Sequence, residues 1–156
     1  MAGPCRSAIG VLAILLVGLC LVPAGAHLAE LPGKMRLAPA DYMTAQTIYA
    51  GWALWGLVIV AALAATLAHA IAVRRDATAR WLSLGAFVAL LTTQMIFWAY
   101  TFPMNALTDN WTVMPPDLDL ARRQWEYSHA VNAVITFAAF VLITLAALRA
   151  ARRLRS

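Results

Sequence analysis

Leu57-Val-Ile-Val-Ala-Ala-Leu-Ala-Ala-Thr-Leu67 decides the fold. Apart from Thr66 the run is apolar and does not alternate, whereas a membrane barrel strand alternates with period two and is about ten residues long. Extended by its flanks, it is long enough to cross about 30 Å of hydrocarbon, which takes about 20 apolar residues as a helix. Lipid offers the backbone no water, so a helix is the geometry left for it. Three further runs behave the same way, and the four spans are approximately 8–28, 48–73, 81–102 and 129–151. The connections 29–47 and 103–128 are too polar to be part of them. The reading is an all-α membrane protein, a single antiparallel four-helix transmembrane bundle over residues 1–156 with no repeat and no soluble domain.

Composition agrees. Of 156 residues 63% are hydrophobic and 12% charged, with a mean hydropathy of +0.74; a soluble domain is about one quarter charged. The net charge of +5 sits at the ends of apolar runs, which argues against a nucleic-acid partner and for membrane lipid. Arg6, Arg74, Arg75, Arg80, Arg149, Arg152, Arg153 and Arg155 fall on one side, and only Lys34, Arg36, Arg122 and Arg123 on the other. The positive-inside rule then puts both termini in the cytoplasm and both long connections outside. Eleven arginines to one lysine, with abundant alanine, point to a bacterial source and hence to the inner membrane. Ala24-Gly25-Ala26 also fits a secretory cleavage site, which would expose His27 as a new N-terminus. The long apolar core of the first span favours an uncleaved anchor. Cys5 and Cys20, near the end and middle of that span, are too far apart to pair and read as apolar filling.

Intramembrane polar residues carry most of the functional information, because each is costly in lipid. His69, alone near Arg74, reads as a neutral or snorkelling side chain. The outer ends of the helices are richer. His27 and Glu30 share one face of the first helix at i, i+3. The fourth helix, capped by Asp117 or Asp119 after Pro115-Pro116, carries Glu126, His129, Asn132 and Thr136 at helical spacing. His-x-x-Glu running outward and Glu-x-x-His running inward bring the two imidazoles to one depth and the two carboxylates to another. Tyr42, Gln46, Tyr49 and Trp52 extend the second helix, and Gln94, Trp98, Tyr100 and Thr101, then Pro103 and Asn105, the end of the third.

Glu-x-x-His on antiparallel helices is the ligand spacing of carboxylate-bridged metal bundles. His27, Glu30, Glu126 and His129 suit a single Fe, Mn or Zn ion; a dinuclear centre lacks two further carboxylates. A metal-free site is equally compatible, with His27 or His129 as the catalytic proton acceptor. A third arrangement pairs the glutamates with Lys34, Arg122 or Arg123 and leaves the histidines as helix-to-helix hydrogen bonds. Asn110-Trp111-Thr112 matches a glycosylation triplet, which means little in a bacterial chain.

Two groups of motifs carry a resemblance. Ala26-His-Leu-Ala-Glu-Leu-Pro-Gly-Lys34 is followed by Tyr42, Gln46 and Ile48-Tyr-Ala-Gly-Trp52; Pro103-Met-Asn105 is followed by Arg123-Gln-Trp-Glu-Tyr-Ser-His-Ala-Val-Asn132. Together they resemble a family of small bacterial four-helix membrane proteins of unknown function, distantly similar to the fungal anthrone oxygenases, over nearly the whole chain. The resemblance implies oxygen-dependent oxidation of a lipophilic polycyclic phenol without an established metal, and it brings no catalytic residues with it.

Two function classes follow. One is an oxidoreductase or oxygenase taking a lipophilic aromatic or quinol-like small molecule, with Tyr49, Trp52, Gln94, Trp98, Asn105 and Trp125 as the substrate-binding groups. The other is a non-catalytic membrane subunit or lipid-binding scaffold, alone or as a homo-oligomer, whose polar cluster is structural. Transport ranks below both, since no charge sits at mid-depth.

Overall fold

The computed structural model describes residues 3–153, with side chains from Ser7 onward; Cys5, Arg6 and Arg155 lie outside the described side chains. Helix α1 spans Gly3–Lys34 and α2 Pro39–Gln46. Two single 3-10 turns, Thr47–Tyr49 and Trp52–Leu54, lead into α3, Trp55–Ala72. Helix α4, Ala77–Ile96, widens into a π-helical turn at Phe97–Thr101 and continues as α5, Phe102–Leu107. Helix α6 is Leu118–Arg152. No strand occurs among the described residues. Four stretches are long and apolar enough to cross a membrane: Ser7–Lys34, Trp52–Ala72, Ala77–Leu107 and Leu118–Arg152.

Small side chains let these helices approach closely. Helix α6 packs mainly on α1 and α4, and α3 packs on the same two. The seam is Ala13, Val17 and Cys20 of α1, Ala62 and Ala65 of α3, Ala86 and Leu90 of α4, and Ala139, Ile143 and Ala146 of α6. Larger apolar residues such as Leu15, Leu57, Val60, Val88, Val134 and Phe137 point outward and are exposed. That inversion suits lipid, where bulky apolar groups need no burial and helices associate through small ones.

Three element boundaries differ from the sequence reading. Helix α1 does not stop near residue 28 but continues through Pro32 to Lys34, and Met35 N still donates to Leu31 O at 3.1 Å. The second span does not carry Tyr42, Gln46, Tyr49 and Trp52 on one continuous helix. Gly51 adopts φ +83°, a left-handed conformation that glycine tolerates without a Cβ clash, and it separates α2 and the first turn from α3. The third span does not stop at residue 102 but continues through Pro103 to Leu107, after a π-helical turn in which Phe102 N donates to Phe97 O. Asp117 is the N-cap of α6, accepting from Leu120 N at 2.9 Å.

At the opposite end of the bundle Asp76 ties the start of α4 to the end of α6. It caps α4 by accepting from Ala79 N at 3.1 Å and pairs with Arg149 at 3.0 Å and Arg153 at 2.9 Å. Burial raises its carboxyl, but the Ala79 amide and the two guanidinium groups outweigh that and hold it below the ordinary aspartate value. A lowered folded-state pKa contributes stability above the unfolded value, about 4, that is lost as pH falls through the lower folded value. Asp76→Ala should therefore melt lower than the parent at pH 7, with about 1 kcal/mol from the lost cap alone. The gap should close on acidification below about pH 4. A gap in detergent melting temperature that is the same at pH 3 and pH 7 would contradict the ion-pair contribution.

Candidate functional site

Continuing α1 through Pro32 puts His27, Glu30 and Lys34 on one face at i, i+3, i+7. Across from them α6 presents Trp125, Glu126 and His129. Lys34 is only 6% exposed and Glu126 0%; their Nζ–Oε1 distance is 2.5 Å. Lys34 Nζ also donates to Gln46 Oε1 at 3.0 Å and to the Tyr49 hydroxyl at 3.1 Å. An ammonium has three protons, and these three acceptors match them.

The hydrogen bonds close into a ring. Gln46 Nε2 donates to the Tyr42 hydroxyl at 2.7 Å, and Tyr42 donates to Glu126 Oε1 at 3.0 Å. A branch leaves the ring at Lys34 through Tyr49, which accepts from Lys34 and donates to Glu30 Oε2. Both tyrosines must keep their protons for this. Burial and the neighbouring Glu126 carboxylate push the Tyr42 phenol above its ordinary value; burial and the bond to Glu30 do the same to Tyr49. The Tyr42, Tyr49 and Trp125 rings surround the ammonium, with Nζ 5.3, 4.6 and 4.6 Å from their centroids.

Beside this ring the two imidazoles stack, His27 on His129, with centroids 4.0 Å apart and planes 25° from parallel. His27 also meets Tyr49, Trp52 and Trp125, at 4.7, 5.5 and 5.0 Å between centroids. It is 5% exposed, while His129 is partly buried. His27 Nδ1, Glu126 Oε2 and Asn132 Oδ1 are buried without a hydrogen-bond partner among the described residues.

The substrate-binding expectations divide. Tyr49, Trp52 and Trp125 line the histidine pair. Asn105 acts one step back: its Oδ1 accepts from Trp125 Nε1 at 2.7 Å and Trp111 Nε1 at 3.1 Å, so it aims indoles rather than facing His27. Trp98 is turned away, 60% exposed and packed on Phe97 and Phe102. Gln94 donates to its neighbour Thr93 at 3.2 Å. The loop between α5 and α6 folds inward. Asp109, Asn110 and Trp111 take φ of 46°, 53° and 67°, and Trp111, 5% exposed, packs its ring on Tyr42 and Trp125. Such a backbone is unusual for a bulky residue; Thr108 holds it by accepting from Trp111 N at 3.0 Å.

The four expected metal ligands do not converge. Glu126 Oε1 is engaged by Lys34 and Tyr42, and Glu30 Oε2 by Tyr49. Face-to-face imidazoles carry their lone pairs in nearly parallel planes, which do not meet at a shared point. Among the described residues no group of three or more His, Cys, Asp and Glu side chains is placed to hold an ion. The pairing of a glutamate with Lys34, one of the arrangements open from the sequence, is the one present, between Lys34 and Glu126; carrying the helix through Pro32 places Lys34 at seven residues from His27.

Lys34→Met would strand the Glu126 carboxylate and should cost about 3–5 kcal/mol, read as a lower melting temperature in mild detergent. Lys34→Met/Glu126→Leu should recover much of that loss. Wild-type melting of the single variant would contradict the buried pair. Metal analysis of the purified protein should find less than one Fe, Mn or Zn per chain, and a stoichiometric ion lost in His27→Ala/His129→Ala would overturn the geometry given above. No known protein family, curated protein or solved structure matches the chain.

Proposed function

We propose that the chain is a bacterial inner-membrane protein, an antiparallel bundle of four transmembrane helices with both termini in the cytoplasm. Its outer-end cluster binds a lipophilic phenol or quinol and removes a proton from it at His27. Supporting the topology, α1 meets α6 at Gly10 with Ala147, Gly18 with Phe140 and Lys34 with Glu126, numbers rising on one helix as they fall on the other. The distribution of arginines supports the orientation.

The observation that carries the chemistry is His27 Nδ1, a buried ring nitrogen without a partner among the described residues, walled by Tyr49, Trp52 and Trp125. A buried polar atom normally has a hydrogen bond, so this nitrogen is available to the hydroxyl or acidic C–H of a flat apolar guest. The neighbouring Lys34 charge favours the anion that forms. The likeness to anthrone oxygenases extends the reading to dioxygen as oxidant: a ring CH2 loses its proton to imidazole, gives electrons to oxygen, and ends as C=O with one water released. A non-catalytic scaffold is favoured by a different observation, the complete use of the Lys34 protons within the ring.

Oxygen uptake with a hydroxyanthrone or a quinol separates the two readings. General-base catalysis contributes about 10²–10⁴-fold, so His27→Ala/His129→Ala should lower the rate at least about a hundredfold. Equal rates for parent and variant would refute the catalytic role. No uptake by the parent, together with a variant that melts early, would establish the scaffold.

A further inference from the structure

At the other end of the bundle from this cluster, His69 opens onto a pocket that the proposed function does not use. The ring does not snorkel: it is 1% exposed, and Nδ1 lies 2.8 Å from Ser83 Oγ. Ser83 has one hydroxyl proton, and it goes to Ala79 O at 2.8 Å. The hydroxyl therefore meets the imidazole as an acceptor, and Nδ1 carries the proton. In the neutral ring that leaves Nε2 as a bare lone pair, and no hydrogen bond among the described residues engages it. Nε2 faces Gly10, where a Cβ would stand 3.1 Å from it and 3.2 Å from Ala147 Cβ. His69 and Gly10 both line a pocket of about 180 Å³ whose other walls include Val11, Ile14, Ala147 and Leu148. Val11 and Leu148 are about half exposed, at 56% and 52%, so the pocket opens on the lipid-facing surface.

We infer that this pocket is a binding site for a lipophilic alcohol or phenol, whose hydroxyl donates to His69 Nε2 while its apolar body lies on Val11, Ile14 and Leu148. Apart from His69 and the Ser7 hydroxyl at one edge the walls are hydrocarbon, so the complementary guest has a single hydroxyl to offer His69 and an apolar remainder. Size agrees, since an apolar cavity of about 150 Å³ takes up benzene. Glycine at position 10 keeps the approach to Nε2 open; a methyl group there would cover the lone pair.

The test is imidazole ¹⁵N spectroscopy of the full chain in mild detergent, titrated with phenol, 1-hexanol and anisole. Before addition, His69 should show the proton on Nδ1. Phenol and hexanol should move the Nε2 resonance saturably, while anisole, which enters micelles but donates no hydrogen bond, should not. Larger shifts with phenol than with hexanol would identify an aromatic guest, and the reverse an aliphatic one. Gly10→Ala, a change that favours helix formation, should weaken phenol binding about tenfold, equivalent to about 1.4 kcal/mol. A proton on Nε2 in the free protein, equal shifts with anisole, no shift with phenol or hexanol, or unaltered phenol binding in Gly10→Ala would each overturn the inference.

Discussion

Removing the charges of Lys34 and Glu126 from water is the constraint around which this end of the bundle, where α1 ends and α6 begins, is arranged. Each alone would be costly in an apolar interior; together at 2.5 Å they compensate only when the remaining protons and lone pairs are also satisfied. This requirement accounts for residues that otherwise look unrelated. Gln46 and Tyr49 take the other two ammonium protons, and Tyr42 gives a second hydrogen bond to Glu126 Oε1. Helix α2 and the turn after it carry all three side chains. An otherwise short, weakly apolar segment is thereby held against α1 and α6.

Aromatic rings form the next layer. Trp125 covers the ammonium, touches both imidazoles and is aimed by Asn105, which also receives Trp111. The unusual backbone at Asp109–Trp111 makes sense in this setting, because it turns an indole inward over Tyr42 instead of leaving it on the surface. What the network leaves without a hydrogen bond among the described residues is His27 Nδ1, Glu126 Oε2 and Asn132 Oδ1.

The opposite end follows a different physical plan. There the helices meet through alanine and glycine, and few polar groups interrupt the seam. His69 is held by Ser83, and Asp76 joins the start of α4 to the end of α6. Close approach of small residues determines geometry at this end, whereas hydrogen-bond direction determines it at the other. A crevice beside Gly10 is a natural result of packing through side chains too small to fill every gap.

Run length and composition in the amino-acid sequence determined that the chain is helical and has four stretches apolar enough for a membrane, since lipid leaves the backbone no other inexpensive option. Helical spacing likewise marked His27, Glu30, Glu126 and His129 as residues sharing faces, because 3.6 residues per turn is a local property. The tertiary structure alone decided who meets whom. Whether α1 breaks at Pro32 depends on the partners waiting for Lys34, and where Trp98 points depends on a π turn that rotates the residues around it. The choice of Glu126 over Glu30 as the partner of Lys34 is likewise absent from any local pattern. It depends on how far α1 and α6 slide past each other, and many small contacts along the whole seam set that displacement.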